Sequence, residues 1–280
     1  MKTYFGPPIA RMLQYRLASK AKVVQIEVLP CAFSENDPRW HQLAKDVSFM
    51  SEGIYADVVV GPNPGFRIEK IRTYLEAGEK AYCVTATVAG SLVGFAANKI
   101  IEAQDLRIFY ISLAIMSAQF QKGQGATTLL AQLFANCFEL INDDNIVVAF
   151  NTSNPVVLGW MTKYFRDVFP NPQSPQAQPD DEIRQAGQLL ARTIFSRAEV
   201  DLETFVVKDW HIHLPDIVVR ADRVPFYSEA VNRFCAERLR FERQTGDAQM
   251  VVGRIFKADL EIFMSLFESQ RISNEISGTY

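Results

Sequence analysis

The period of apolar and polar positions changes repeatedly along this chain, and each change predicts an element. Residues 22–29 (KVVQIEVL) alternate in part and are β-branched, which predicts a strand. A turn cluster at 34–37 leads to Pro38, whose fixed φ suits the first turn of a helix. Trp40, Leu43, Val47 and Met50 then carry a helical stripe to about residue 54. After the loop at 61–65, residues 68–77 predict a short helix. Residues 81–88 and 92–101 form a hairpin pattern closed by Ala89 and Gly90, and 106–116 (LRIFYISLAIM) is a third strand. A helix at 127–140 and a strand at 145–150 follow. Asn154 then caps a helix that has Pro155 at its first position and runs to about 165.

Beyond this point the pattern changes. Residues 170–181 hold four prolines and three glutamines and predict a surface loop or linker. Helices are expected at 182–197, 228–243 and 258–269, short strands at 204–208 and 217–219, and a late strand at 247–256. The organisation is therefore an N-terminal extension (1–20), a core (21–169), a loop or linker (170–181) and a C-terminal elaboration (182–280) that is expected to complete the sheet. There is no internal repeat.

Composition narrows the function classes. The chain has 280 residues, 48% of them apolar and 22% charged, as in an ordinary globular protein. Its net charge of −3 comes with no basic stripe, which argues against nucleic acid as a partner. No run of about 18 apolar residues exists, so no membrane span is expected. The first 20 residues lack the apolar core of a signal peptide, and the cytoplasm is the expected location. Cys31, Cys83, Cys137 and Cys235 are widely spaced with no CxxC, which suits buried free thiols better than a metal site or disulfides.

The chemistry concentrates in residues 110–130, YISLAIMSAQFQKGQGATTLL. A strand breaks into a small, polar, glycine-bearing loop that opens directly into a helix. The first N–H groups of a helix lack partners and its dipole is positive there, so this is an anion site. Lys122 precedes the glycines, which excludes a Walker loop, and Gly123-x-Gly125 is followed by Thr128, which excludes the dinucleotide fingerprint.

The segment does resemble the pyrophosphate loop of the GNAT superfamily of N-acetyltransferases. Leu113, Ala114 and Ile115 match that family's Leu-Ala-Val strand. Gln121, Lys122, Gly123, Gln124, Gly125 and Ala126 sit at its Arg/Gln-x-x-Gly-x-Gly/Ala loop, and Leu129 and Leu130 match the next helix. The span from Leu113 to Leu130 is one residue longer than the family pattern. Aligned from the helix the loop begins at Gln121; aligned from the strand it begins at Phe120; a one-residue bulge would reconcile the two. Downstream, Asn154 matches the family's Asn-x-x-Ala-x-x-x-Tyr, with Val157 in place of alanine, Met161 in place of tyrosine, and Tyr164 one helical turn later.

The resemblance implies an α/β (α+β layered), GNAT-like fold: a mixed, mostly antiparallel central sheet flanked by helices. It implies acetyl-CoA or another acyl-CoA as co-substrate, held by Leu113, Ala114, Ile115, Gln121, Lys122, Gly123, Gln124, Gly125, Ala126, Thr127 and Asn154. It implies direct attack of a small-molecule or protein amine on the thioester, its oxygen polarised by a backbone N–H near Ile115. Candidate catalytic residues are Tyr164 as acid, Glu102 as base and Ser112, with Tyr110, as a proton relay. An inward-packed strand face is the competing reading of that pair. Asn151 and Thr152 line the acceptor pocket or cap the helix. His211 and His213 read as a surface pair rather than a metal site, and no metal is expected. Trp40 and Trp160 read as core packing against the sheet, with the floor of an apolar acyl pocket as the alternative, and the long tail as a cap over the acceptor or a homodimer surface. Because Met161 cannot donate a proton, a catalytically silent acyl-CoA-binding protein stands as the alternative to an active acyltransferase.

Overall fold

The computed structural model describes residues 11–16, 23–31, 37–56, 66–75, 81–103, 105–121, 125–141, 143–211, 219–243 and 245–260. The hairpin at its centre follows the sequence closely. Strands β3 (Ala81–Val88) and β4 (Ser91–Ala103) are joined by Ala89 and Gly90, with φ of 49° and 79°. Positive φ at both turn residues matches the twist of the flanking strands. On one side β3 pairs with β2 (Val23–Pro30), and β2 with β1 (Arg11–Arg16). The N-terminal segment read as an extension thus supplies an edge strand. On the other side β4 pairs antiparallel with β5 (Leu106–Met116).

From β5 the chain makes a parallel connection. A short helix α3 (Ala118–Gln121) and a long helix α4 (Gly125–Ile141) lead to β6 (Asn145–Thr152), which lies parallel to β5. Helix α5 (Pro155–Tyr164) and β7 (Arg166–Phe169) follow. Next come α6 (Asp181–Thr193), β8 (Val200–Asp201), β9 (Val206–Val207), α7 (Glu229–Leu239) and β10 (Ala248–Phe256). The sheet runs β1-β2-β3-β4-β5-β6-β10-β9-β8, with β7 also pairing β10, and β5–β6 is the parallel pair among these ladders. A mostly antiparallel, open mixed sheet flanked by helices is a GNAT-like α/β fold, as the resemblance implied.

Three clusters fill the layers. Helices α4, α5 and α7 cover one face, with Phe109, Phe134, Val148, Met161, Phe234 and Val251 in the core between. On the opposite face α1 (Pro38–Tyr55) and α2 (Ile68–Leu75) cover β2 to β5. Helix α6 covers β5, β6 and β10 on that same face, around Phe195, Phe205 and Met250. Arg254 of β10, only 12% exposed, reaches Asp180 at 2.7 Å, Asp167 at 2.9 Å and Glu182 at 2.5 Å, tying the start of α6 and β7 to the sheet. The segment after 170 is therefore built into the sheet.

Several bounds differ from expectation. Helix α7 stops at Leu239 because Arg240 turns left-handed at φ 47°, where its guanidinium meets the buried Asp247 carboxylate at 2.6 Å. The strand expected at 217–219 and the helix at 258–269 fall mostly outside the described residues. All four cysteines are free and buried. No helix among the described residues is long and apolar enough to cross a membrane.

Candidate functional site

Strands β5 and β6 form a fork. Their ladder consists of Ile108–Val147, Phe109–Val148 and Tyr110–Ala149, and goes no further. Yet β5 continues beside β4 to Met116, and β6 continues beside β10 to Thr152. A bulge lies at the point of divergence: Ala97 pairs with Leu113 and Asn98 with Ile111, so Ser112 is an extra residue on β5. Bulges bend a strand and add local twist, which turns β5 away from its neighbour. Beyond Tyr110 one edge of β5 therefore presents backbone N–H and C=O groups without a ladder partner, a template for an extended amide-bearing ligand.

The bulge also exchanges the faces of β5. Phe109 and Ile111 pack in the core under α4, whereas Leu113 and Ile115 pack under α1 and α2. Ala114 thus points to the α4 side, where it is exposed although its strand is internal to the sheet. The apolar layer is open at this point.

Two helix N-termini flank the same end. Because β5 and β6 are parallel and each is followed by a helix, α4 and α5 both begin where the fork opens. The positive ends of two dipoles face that opening. Asn154 caps α5, its Oδ1 accepting from the Val156 N–H at 2.9 Å, and Thr152 Oγ1 accepts from the Asn154 N–H at 2.9 Å. Of the loop expected to hold pyrophosphate, Gln121 ends α3, and Gly125, Ala126 and Thr127 form the first turn of α4. Lys122, Gly123 and Gln124 lie outside the described residues. The bulge at Ser112 precedes Leu113 and so does not explain the long span to Leu130; that span instead includes α3.

On the opposite face polar groups gather at the seam between the two apolar clusters. The Tyr110 hydroxyl donates to Asn151 Oδ1 at 2.5 Å, across the vertex of the fork. Burial raises the Tyr110 pKa, and the nearby Tyr74 adds to the shift. Lys99 stands beside Tyr110 in the β4–β5 ladder, and Lys70 of α2 lies over the Tyr74 ring at 5.3 Å. Burial and the neighbouring Lys99 lower the Lys70 pKa. Phe195 packs between Tyr110, at 6.2 Å, and Trp210, at 4.8 Å. Next in the chain, His211 is buried, its Nδ1 has no partner, and desolvation with a contribution from Lys70 brings its pKa down to about 4. His211, Ser153 and Asp247 line a small, partly open cleft.

The candidate catalytic residues separate in space. Ser112 is at the fork, its Oγ buried without a partner. Glu102 is not: it sits at the far end of β5, opposite Arg107, and its carboxylate meets that guanidinium at 2.9 Å. Antiparallel pairing carries the end of β4 away from the open end of β5, which removes Glu102 from the base role. Tyr164 ends α5, two residues before Arg166, which pairs with Arg254 beside the closed half of β6. There it is half-buried against Trp160 at 5.3 Å. Met161 is fully buried, and its Cε lies 3.2 Å from where a Cβ on Gly253 would stand, so it fills the core. His211 is buried rather than on the surface, because the turn carrying it is closed over by Gly246, whose carbonyl accepts its N–H at 2.8 Å. His213 lies outside the described residues. Trp40 and Trp160 pack against the cores, as expected.

Two features were missed from sequence. Asn98 is fully buried at the bulge, with neither amide atom partnered. Its one signal was a lone amide inside the apolar run of β4. Lys70 and Lys99 lie on separate elements, and no local pattern joins them.

No family profile and no curated protein sequence matches this chain. Solved structures do resemble it. An acetyltransferase of the GNAT family from Streptococcus pneumoniae is 10% identical, covering 51% of this chain and 86% of its own, with a TM-score of 0.37. The NatC complex bound to Gag peptide and CoA gives 15%, 50%, 84% and 0.34. A ribosomal-protein-alanine N-acetyltransferase from Brucella melitensis gives 18%, 42%, 74% and 0.30. With its mostly antiparallel, open mixed sheet and a single parallel pair among the described ladders, the chain has a GNAT-like fold, and the solved structures similar to it include an acetyltransferase of the GNAT family and a ribosomal-protein-alanine N-acetyltransferase.

Proposed function

We propose that this chain is an acyl-CoA-dependent N-acyltransferase. The observation that carries the reading is the unpaired edge of β5 beyond Tyr110, opening toward the N-termini of α4 and α5. A pantetheine arm has amides at the spacing of an added strand, and a pyrophosphate suits the positive end of α4. Leu113, Ala114 and Ile115 then hold the arm. The first turn of α4, with Gln121, Lys122, Gly123 and Gln124, holds the phosphates. Asn154 acts by fixing the start of α5.

The reaction is attack of a neutral amine on the thioester carbonyl. The C–N bond forms, the C–S bond breaks, the amine proton leaves to solvent or through Ser112, and CoA departs as a thiolate that takes a proton from solvent. Positioning supplies most of the acceleration. Four free, buried thiols suit a reducing compartment such as the cytoplasm.

One observation favours a second reading, a silent acyl-CoA-binding protein. Met161, where the resemblance expects a tyrosine, is core, and Tyr164 is at the closed end of the fork. Thermal shift with acetyl-CoA, longer acyl-CoAs and free CoA, followed by thiol release with an amine panel, separates the two. Stabilisation with thiol release supports the transferase, stabilisation alone supports the binding protein, and no shift with any CoA species rejects both.

A further inference from the structure

The face of the sheet away from α4 carries a feature that acyl-CoA binding does not use. Lys99 projects from β4 between Ala97, which packs under α1 and α2, and Ile101, which packs under α6. It therefore occupies the seam between the two helical covers, beside Tyr110 at the vertex of the fork. Lys70 lies over Tyr74 on α2, which packs against β4, and is within electrostatic reach of Lys99. Both lysines are half-buried, and neither forms an ion pair among the described residues. His211, buried with Nδ1 unpartnered, is within electrostatic reach of Lys70 and adds an uncommitted polar group.

Two ammonium groups held together and partly dehydrated repel each other, and the arrangement is costly without a counter-charge. Several other cations of this protein do have carboxylate partners: Arg254 has Asp167, Asp180 and Glu182, Arg240 has Asp247, and Arg107 has Glu102 and Asp143. Without an ion pair among the described residues, Lys99 lies beside Tyr110 where the strands part, on the face opposite the exposed Ala114, with Lys70 within electrostatic reach.

We propose that Lys70 and Lys99 form an anion-binding subsite on the acceptor side of the fork, so that the acyl acceptor is an amine that also carries a carboxylate or phosphate. This rests on the acyltransferase reading above. The two ammonium groups hold the anionic end of the acceptor, and its amine is directed across Tyr110 toward the thioester.

The test compares acceptors matched except for the anion: an α-amino acid against its amide, and an amino sugar phosphate against the free amino sugar. With the full chain and acetyl-CoA, kcat/KM is expected to favour the anionic member of at least one pair by about tenfold or more. Lys70→Gln and Lys99→Gln should each erase that preference, and Lys99→Arg should keep it. Equal rates within both pairs, or a preference that survives both glutamine variants, overturns the proposal. A second measurement needs no turnover. Inorganic phosphate and glutarate are titrated into protein with saturating free CoA, and thermal stability is followed. A shift with either anion that Lys70→Gln and Lys99→Gln abolish supports the subsite and names its preferred group. No shift, or one the variants retain, rejects it. The difference between wild type and variants can be read without CoA too, so failure of the acyltransferase reading is distinguishable.

Discussion

The Tyr110 hydroxyl donates to Asn151 Oδ1 at 2.5 Å, bridging β5 and β6 just above the last rung of their ladder. Below this bond the strands are paired; above it the Ser112 bulge turns β5 away. The bond fixes the vertex of the fork, and it does so from the face covered by α6, where Tyr110 packs against Phe195.

Tyr110→Phe removes the donor and leaves Asn151 Oδ1 without it. We expect a loss of about 1–2 kcal/mol in urea unfolding. Asn151→Ala should cost less when combined with Tyr110→Phe than in the wild type. The pH dependence has a definite sign. Burial raises the folded pKa, so above about 10 the unfolded phenol loses its proton while the folded one keeps it. The contribution is present below that pH and declines above it. Parallel urea midpoints for wild type and Tyr110→Phe between pH 9 and 11 would contradict this assignment.

His211 predicts the opposite end of the pH scale. Burial, with Lys70 adding to it, places its folded pKa at about 4, against roughly 6.5 unfolded. Between these values the unfolded state binds a proton that the folded state refuses. Stability is therefore complete above about 6.5 and falls by roughly 3 kcal/mol as the pH drops to 4. His211→Asn should flatten that part of the profile relative to wild type, as read by thermal unfolding across a pH series. Equal slopes would show that His211 titrates normally.

Ala114 tests the cofactor side of the fork. Its side chain is exposed on an otherwise covered face, so a large residue meets no core neighbour there. Ala114→Trp should weaken acetyl-CoA binding by more than about tenfold in calorimetry, through steric exclusion of the pantetheine arm, with a change of less than about 1 kcal/mol in stability. Unchanged affinity in a folded variant would mean that the arm does not run along β5.

A pair of glycines tests the packing of the C-terminal segment. A Cβ on Gly187 would stand 2.2 Å from the Phe205 ring, which is fully buried and packed on Phe169 at 4.8 Å. A Cβ on Gly159 would stand 2.3 Å from the Tyr227 ring, which is 38% exposed and can swing outward. Both helices gain up to about 1 kcal/mol of intrinsic propensity from alanine. Gly187→Ala should still destabilise by about 1–3 kcal/mol, because the buried ring cannot yield. Gly159→Ala should be near neutral in the same chemical unfolding measurement. Equal effects would mean that Phe205 is as mobile as Tyr227.

The elements legible in the sequence are those written in local chemistry. The hairpin at Ala89 and Gly90, the full extent of β5 and the Asn154–Pro155 cap formed where the pattern placed them. The strand expected at 204–208 shrank to the two residues of β9, and β7 and β8 were missed, because all three are only two to four residues long. Such strands have no periodicity of their own and exist because β10 or a neighbour offers an edge. Helix α7 was read too long because Arg240 carries no breaker signal; its left-handed turn accompanies its ion pair with Asp247.

By itself the sequence determined the order of elements and the place of the glycine-bearing loop, since turn chemistry, caps and apolar spacing are properties of neighbouring residues. Tertiary structure decided the site. The bulge at Ser112 follows from how β4 and β5 pair, and it lies where β5 parts from β6. Pairing direction carried Glu102 to the wrong end of its strand, and the space over Gly253 turned Met161 into core. Lys70 comes within electrostatic reach of Lys99 because α2 packs against β4. Charge placement of that kind depends on contacts between distant segments, and no local pattern encodes it.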